Sequence, residues 1–210
     1  MLKTRIAVFV SGGGTNIQAL IDAQKSGIIK SGSIELVVSS SPDAYAITRA
    51  KENGIPYAVV SRKKSVSQEE FESNILSVLK EYNIQLIVLA GFMSILSEDF
   101  TSRYKDRIIN VHPSLIPSFC GKGFYGLRVH EAALAYGVKV TGATVHFVNE
   151  VPDGGKIIKQ KAVDVMPDDT PQTLQKRVME NAEWIILPEA TEETANKIAN
   201  AGDSYERIRN

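Results

Sequence analysis

Apolar runs that read as strands alternate with segments of helical period, and no other feature of the sequence limits the fold as tightly. Arg5 to Val10 forms the first such run. It passes through Ser11-Gly12-Gly13-Gly14-Thr15-Asn16 into a segment whose apolar residues Ile17, Leu20 and Ile21 fall at helical spacing. Ile34 to Val38 then reads as a second strand, which completes a βαβ unit. Tyr45 to Asn53 is helical and stops at Gly54, and Ile55 to Val60 is extended. Phe71, Ile75, Val78, Leu79 and Tyr82 mark the buried stripe of a further helix, and Ile84 to Ala90 is a buried strand.

The second half changes character. Ile108 to His112 is a short strand stopped by Pro113, followed by the long loop PSLIPSFCGKGFYG, of the kind that carries function in compact domains. Leu127 to Tyr136 is helical. Val138 to Val148 and Lys156 to Val165 read as two strands joined by the turn NEVPDGG, an antiparallel hairpin added to a parallel sheet. Thr170-Pro171 opens a helix, with threonine as cap and proline at its first position. Leu174, Val178, Ala182, Ile185 and Ile186 supply its apolar face. After Pro188 the chain is polar and reads as a surface helix. The expectation is one α/β domain with a mostly parallel twisted sheet. Residues 1–105 carry the glycine loop, residues 106–190 the long loop and hairpin, and residues 191–210 a surface tail.

Lys+Arg and Asp+Glu both number 24, so the chain has no electrostatic footprint for nucleic acid or an anionic membrane. Small molecules are the expected partners. Cys120 is the one cysteine of the chain, so no intrachain disulfide can form and a reducing cytoplasm is expected. The apolar run at the N-terminus passes directly into glycines and lacks a signal-peptide pattern. The run from Leu86 to Met93 is far shorter than the roughly 20 residues of a membrane helix.

A strand-to-helix glycine turn presents free backbone N–H groups at the positive end of the helix dipole, which is an anion site. A dinucleotide fingerprint counted from Gly12 would need glycine at Ile17, and the lysine of a P-loop is missing. The loop therefore suits a phosphomonoester. The alternative is a tight turn capped by Thr15 or Asn16.

Side chains alternate along Ile108-Ile109-Asn110-Val111-His112, so Asn110 and His112 share one face at a strand end. Histidine exchanges protons near neutral pH, and an amide can donate to an oxygen that becomes negative in a tetrahedral intermediate. The pair suits acyl transfer. Taken alone, both residues could equally hydrogen-bond a neighbouring loop. His146, on TGATVHFV, shares a face with Thr144 and Val148 and could border the same site, although a structural role is the first expectation; the run Arg62-Lys63-Lys64 is expected as a solvated loop, with attraction of an anionic ligand tail as the alternative.

The segments SGGGTN, VLAGFMSILS, INVHPSLIP and TGATVHFVNEVPDGGKII together resemble the motifs of the phosphoribosylglycinamide formyltransferases, in matching order across nearly the whole chain. The resemblance implies a Rossmann-related fold of about seven strands, with helices on both faces. It also implies transfer of the formyl group of 10-formyltetrahydrofolate, as co-substrate and without a metal, to the amine of phosphoribosylglycinamide in purine biosynthesis. Asn110, His112 and Asp153 match the family's catalytic residues. Gly14, Thr15 and Asn16 match its phosphate loop, and Glu183 a glutamate that contacts the substrate ribose. Met93, Ser94, Ile95 and Leu96 match the pterin-lining segment, and the loop from Val148 to Asp153 closes its other side. Gln68 stands where some members place an arginine near the folate, and Ser94 replaces a commonly basic residue. The resemblance assigns no role to Cys120, Lys122, Arg128 or His130.

In the mechanism this implies, the amine attacks the formyl carbon while Asn110 and a protonated His112 stabilise the oxyanion, and Asp153 keeps His112 charged. Two other readings stand beside it: a formyltetrahydrofolate deformylase-like hydrolase, and a silent binder of a phosphorylated metabolite. Deformylases carry an extra N-terminal domain and the tRNA formyltransferases an extra C-terminal one, so a chain that opens at its first strand and ends after its last helix is expected to be neither. A monomer or homodimer is expected.

Overall fold

The computed structural model describes residues 3–201, so residues 202–210 of the expected tail lie outside the described residues. Strand β1 (Thr4–Val10) leads through the glycine turn into α1 (Thr15–Ser26), β2 (Gly32–Ser39), α2 (Tyr45–Glu52) and the short β3 (Tyr57–Val59). A single 3₁₀ turn at Arg62–Lys64 precedes α3 (Gln68–Glu81), β4 (Leu86–Leu89), α4 (Glu98–Arg103) and β5 (Ile108–His112). The second half holds α5 (Leu127–Tyr136), β6 (Val140–Phe147), β7 (Ile157–Asp164), α6 (Pro171–Val178), a π turn (Met179–Glu183) and α7 (Trp184–Asn200).

The strands form one sheet in the order β3-β2-β1-β4-β5-β6-β7. The first five are parallel; β6 runs antiparallel to β5, and β7 antiparallel to β6. This is the mixed sheet that the change of pattern predicts. Because crossover helices cover both faces of a parallel sheet, its central strands are apolar on both sides. In β1, Ile6, Val8 and Val10 enter a core shared with α1, α2, α6 and α7, while Ala7 and Phe9 enter a second core with α3 and α4.

Local chemistry sets the element ends. Ser67 Oγ accepts the Glu70 N–H at the start of α3, and Ser97 Oγ the Phe100 N–H at the start of α4. The Thr170 hydroxyl accepts from the Thr173 N–H, with Pro171 in the first turn. Two expectations change. Ile185 is 40% exposed, while Leu187 is fully buried. The π turn inserts extra arc ahead of α7 and rotates the apolar face away from a regular 3.6-residue phase.

The segment after Pro188 is also not a polar surface piece. The helix runs through Pro188 and buries Thr191, Thr194, Ala195 and Ile198 against the sheet. The buried threonines satisfy themselves locally, Thr191 Oγ1 donating to the Leu187 carbonyl at 2.7 Å and Thr194 Oγ1 to that of Ala190 at 2.8 Å. Helical back-bonding is what lets polar letters sit in a core. Glu192 faces the other way and accepts from the N–H groups of Lys30 and Ser31, clamping the turn before β2.

Candidate active site

The chain leaves β1 and β4, which are neighbours, toward opposite sides of the sheet. A crevice therefore opens at their carboxyl ends, where open α/β sheets bind ligands. On one side lies the glycine turn. Gly14 has φ 73°, and a Cβ there would stand 2.7 Å from the Ala46 Cβ, so α2 packs against bare backbone. Gly12 and Gly13 differ: a Cβ on either would meet nothing within 4 Å. The Gly12 carbonyl accepts the Ala46 N–H at 3.1 Å, which fixes the turn from behind. The N-cap of α1 is Gly14 and no side chain caps the helix, so neither Thr15 nor Asn16 caps it. The first N–H groups of α1 keep their capacity for an anion.

Asn16 is engaged elsewhere. Its Nδ2 donates to Glu183 Oε2 at 2.7 Å, while its Oδ1 is buried without a partner among the described residues. Glu183 closes the π turn, a distortion that is frequent at functional sites. Burial pushes its carboxyl up from the ordinary glutamate value, and the Asn16 amide offsets part of that.

The other side of the crevice is built on the β5–β6 pairing, which sets Asn110 opposite His146 and His112 opposite Thr144. His146 Nδ1 lies 2.8 Å from the Phe147 carbonyl, which can only accept, so this nitrogen carries the hydrogen. Its Nε2 then accepts from Asn110 Nδ2 at 3.2 Å. That bond fixes which way the Asn110 amide faces and leaves one amide N–H for a ligand. By the same logic His112 Nε2, 2.8 Å from the Phe119 carbonyl, is the donor. Nδ1 is then the ring nitrogen able to take a proton, 3.5 Å from Asp153 Oδ2.

Asp153 holds the group together. Its Oδ2 accepts the Gly121 N–H at 2.8 Å, and its Oδ1 lies 3.6 Å from His146 Nε2. Asp153 (φ 57°) and Phe119 (φ 48°) both occupy the left-handed region, so two loops are held in costly conformations where they meet His112. Burial pushes the Asp153 carboxyl up, but His146, the charge of His112 and the Gly121 N–H outweigh it, and the net shift is downward. It is a carboxylate at neutral pH. For His112, burial is the largest influence and lowers the pKa; Asp153 and the Phe119 carbonyl raise it but do not restore it. The expected influence of Asp153 is present but opposed: burial favours the neutral ring more than Asp153 favours the charged one.

Two contiguous cavities meet at this cluster, sharing Phe92, Ile95, Asn110, Pro152 and Asp153 in their walls. The smaller, about 130 Å³, is walled by Ser94, Ile95 and Leu96 on one side and the loop from Val148 to Asp153 on the other. The larger, about 710 Å³, extends from His112 past the loop 121–126 to Asn16 and Glu183 and takes in Met93. Gly14 and Thr15 do not line it. Gln68 lines neither cavity: its Nε2 donates to Glu72 Oε1 at 2.7 Å and to the Ile95 carbonyl at 3.0 Å, so it braces the wall from outside.

The structure also brings residues beyond the expected trio into the cluster. His146 touches both Asn110 and Asp153, and Phe119 and Gly121 contribute backbone groups. For His146 the signal was present, since a hairpin partner strand necessarily sets one residue opposite Asn110; for the loop there was none. Cys120 is an unpromising nucleophile, because burial and then the Asp153 charge push its thiol up.

An open α/β sheet with an uncapped glycine turn at one end of a crevice and a buried Asn-His-Asp cluster at the other defines a group-transfer enzyme of acyl type. A family model described as formyl transferase matches residues 4–191, and the chain belongs to that family. It is 42% identical to the phosphoribosylglycinamide formyltransferase of Haemophilus influenzae over 88% of this chain and 84% of that protein. It is likewise 42% identical to the trifunctional purine biosynthetic protein adenosine-3 of Homo sapiens, over 96% of this chain and 19% of that one. The chain thus spans about a fifth of the trifunctional relatives it matches. Among solved structures, glycinamide ribonucleotide transformylase 1 of Symbiobacterium toebii superposes with a TM-score of 0.86 at 37% identity, covering 93% of this chain and 89% of that one.

Proposed function

We propose that this chain transfers the formyl group of 10-formyltetrahydrofolate to the amine of phosphoribosylglycinamide, a step of purine biosynthesis, as a cytoplasmic enzyme. The observation that carries the reading is the junction of the two cavities at Asn110 and Asp153. The larger has room for a phosphorylated sugar, and its wall includes Asn16, in the first turn of the uncapped α1, and its partner Glu183. The smaller is an apolar slot between Leu96 and Val148 with the peptide groups of the 148–153 loop along its edge, which suits a flat pterin.

The chemistry follows from the proton positions. The neutral amine reaches the junction, and as its nitrogen attacks the formyl carbon it gives up a proton to the neutral His112 at Nδ1. The imidazolium so formed lies beside the Asp153 carboxylate, which stabilises it. The amine nitrogen bonds to the formyl carbon, and the former carbonyl oxygen, now negative, takes the free Asn110 N–H. When the intermediate collapses, the bond from the formyl carbon to the folate N10 breaks. N10 receives the proton held by His112, which restores the neutral ring.

The test supplies 10-formyltetrahydrofolate with and without phosphoribosylglycinamide and follows the freed folate. Release that depends on the amine is expected. Release without it means a hydrolase, and none at all means a silent binder.

A further inference from the structure

His130 sits on α5, is 1% exposed, and neither ring nitrogen has a hydrogen-bond partner among the described residues. Buried polar side chains are almost always satisfied, and one that offers two unpaired nitrogens calls for an explanation. Its position supplies one. His130 lines the larger cavity together with the catalytic cluster and the Asn16–Glu183 pair, and Asn16 Oδ1 in the same wall is also without a partner among the described residues. We propose that His130 binds the uncharged polar middle of the amine substrate, its ribose hydroxyls or its amide, between the phosphate and the reacting nitrogen.

The chemistry of the ring selects that class of group. Burial, aided by the nearby charge of His112, pushes the His130 pKa down to about 4, so the ring is neutral under ordinary conditions. A neutral imidazole offers one N–H and one lone pair. It pairs with a group that both donates and accepts, as a hydroxyl or a secondary amide does. A phosphate dianion accepts only and would leave the lone pair opposed. His130 is therefore a binding residue, distinct from the proton-carrying His112.

The inference rests on the proposed transferase reaction, and the experiment separates the two. Amine-dependent formyl transfer by the unaltered protein tests the reaction. Given that activity, His130→Phe, which keeps a ring and removes both nitrogens, is expected to raise KM for phosphoribosylglycinamide about tenfold. KM for 10-formyltetrahydrofolate should stay within about twofold. His130→Asn, which keeps a donor and an acceptor, is expected to recover most of the loss. A KM for phosphoribosylglycinamide unchanged in His130→Phe, or raised equally in His130→Asn, overturns the assignment. The ring can also be observed without substitution. In protein labelled with ¹⁵N-histidine, phosphoribosylglycinamide should move the His130 ring nitrogen resonances, and their failure to move at saturating substrate overturns the proposal even if His130→Phe does not fold.

Discussion

The two ends of the crevice are built in opposite ways. At the glycine turn the free donors belong to one contiguous stretch of backbone, Gly12 to Asn16, with open space at Gly12 and Gly13. At the strand ends they come from four separate segments, through Asn110 and His112, Phe119 and Gly121, His146, and Asp153, each partly held by another. Holding an anion needs donors that face one way, which a local turn can supply. Moving a proton needs groups with altered affinities, and those arise only where side chains are buried against each other. The first end should therefore govern substrate affinity and the second turnover.

The largest effect that can break this division is expected at Asp153. Asp153→Asn keeps the size and an acceptor for the Gly121 N–H but removes the charge beside His112 and His146. Turnover should fall by about 10³ to 10⁴, in the upper range for acid–base groups. Both KM values should stay within a few-fold of the unaltered enzyme in steady-state kinetics. Asn110→Ala should follow at about 10² to 10³, the cost of one oxyanion donor, again in kcat. A rise in KM with kcat preserved in either variant would mean that the strand ends bind rather than catalyse.

Glu183→Gln probes the other end. The carboxyl is buried, accepts from Asn16, and lines the larger cavity but not the smaller one. Its loss should raise KM for phosphoribosylglycinamide about tenfold, in line with a hydrogen bond to a charged group, and leave kcat nearly unchanged. A fall in kcat as large as that of Asn110→Ala would erase the distinction between the two ends.

A pH profile sharpens the same contrast. In the proposed reaction His112 must be neutral to take the amine's proton, and burial lowers its pKa from the ordinary 6.5 more than Asp153 raises it. Activity is lost as pH falls through the lowered pKa, so the acid limb of kcat/KM, measured with the amine in excess, should lie below 6.5. A limb above 6.5 would show that Asp153 outweighs burial and that the imidazole enters the reaction already charged.

The same contrast explains what the sequence disclosed. The turn could be read from SGGGTN because its geometry is local, and the sheet order's break in pattern showed in the change from alternating βα units to a hairpin. Asn110 and His112 could be placed on one face by strand alternation alone. The sign of the His112 shift could not, because it depends on how deeply loops from residues 119 and 153 cover the ring. Nor could the burial of α7 beyond Pro188, where threonine hydroxyls turn back onto their own helix.

Gln68 is where family resemblance and geometry part, and the smallest effect is expected there. The resemblance sets it near the folate, yet its amide is occupied by Glu72 and the Ile95 carbonyl, and Arg62 Nε donates to its Oε1 at 3.1 Å. A side chain with donors and acceptor engaged has little left for a ligand, and its influence passes through the Ile95 wall it supports. Gln68→Ala should change KM for 10-formyltetrahydrofolate by no more than about twofold, with a stability loss of about 1 kcal/mol for the lost hydrogen bonds in denaturant unfolding. A tenfold rise in that KM without loss of stability would mean that Gln68 turns toward the folate when it binds, and that the affinity-governing part of the crevice reaches beyond the glycine turn.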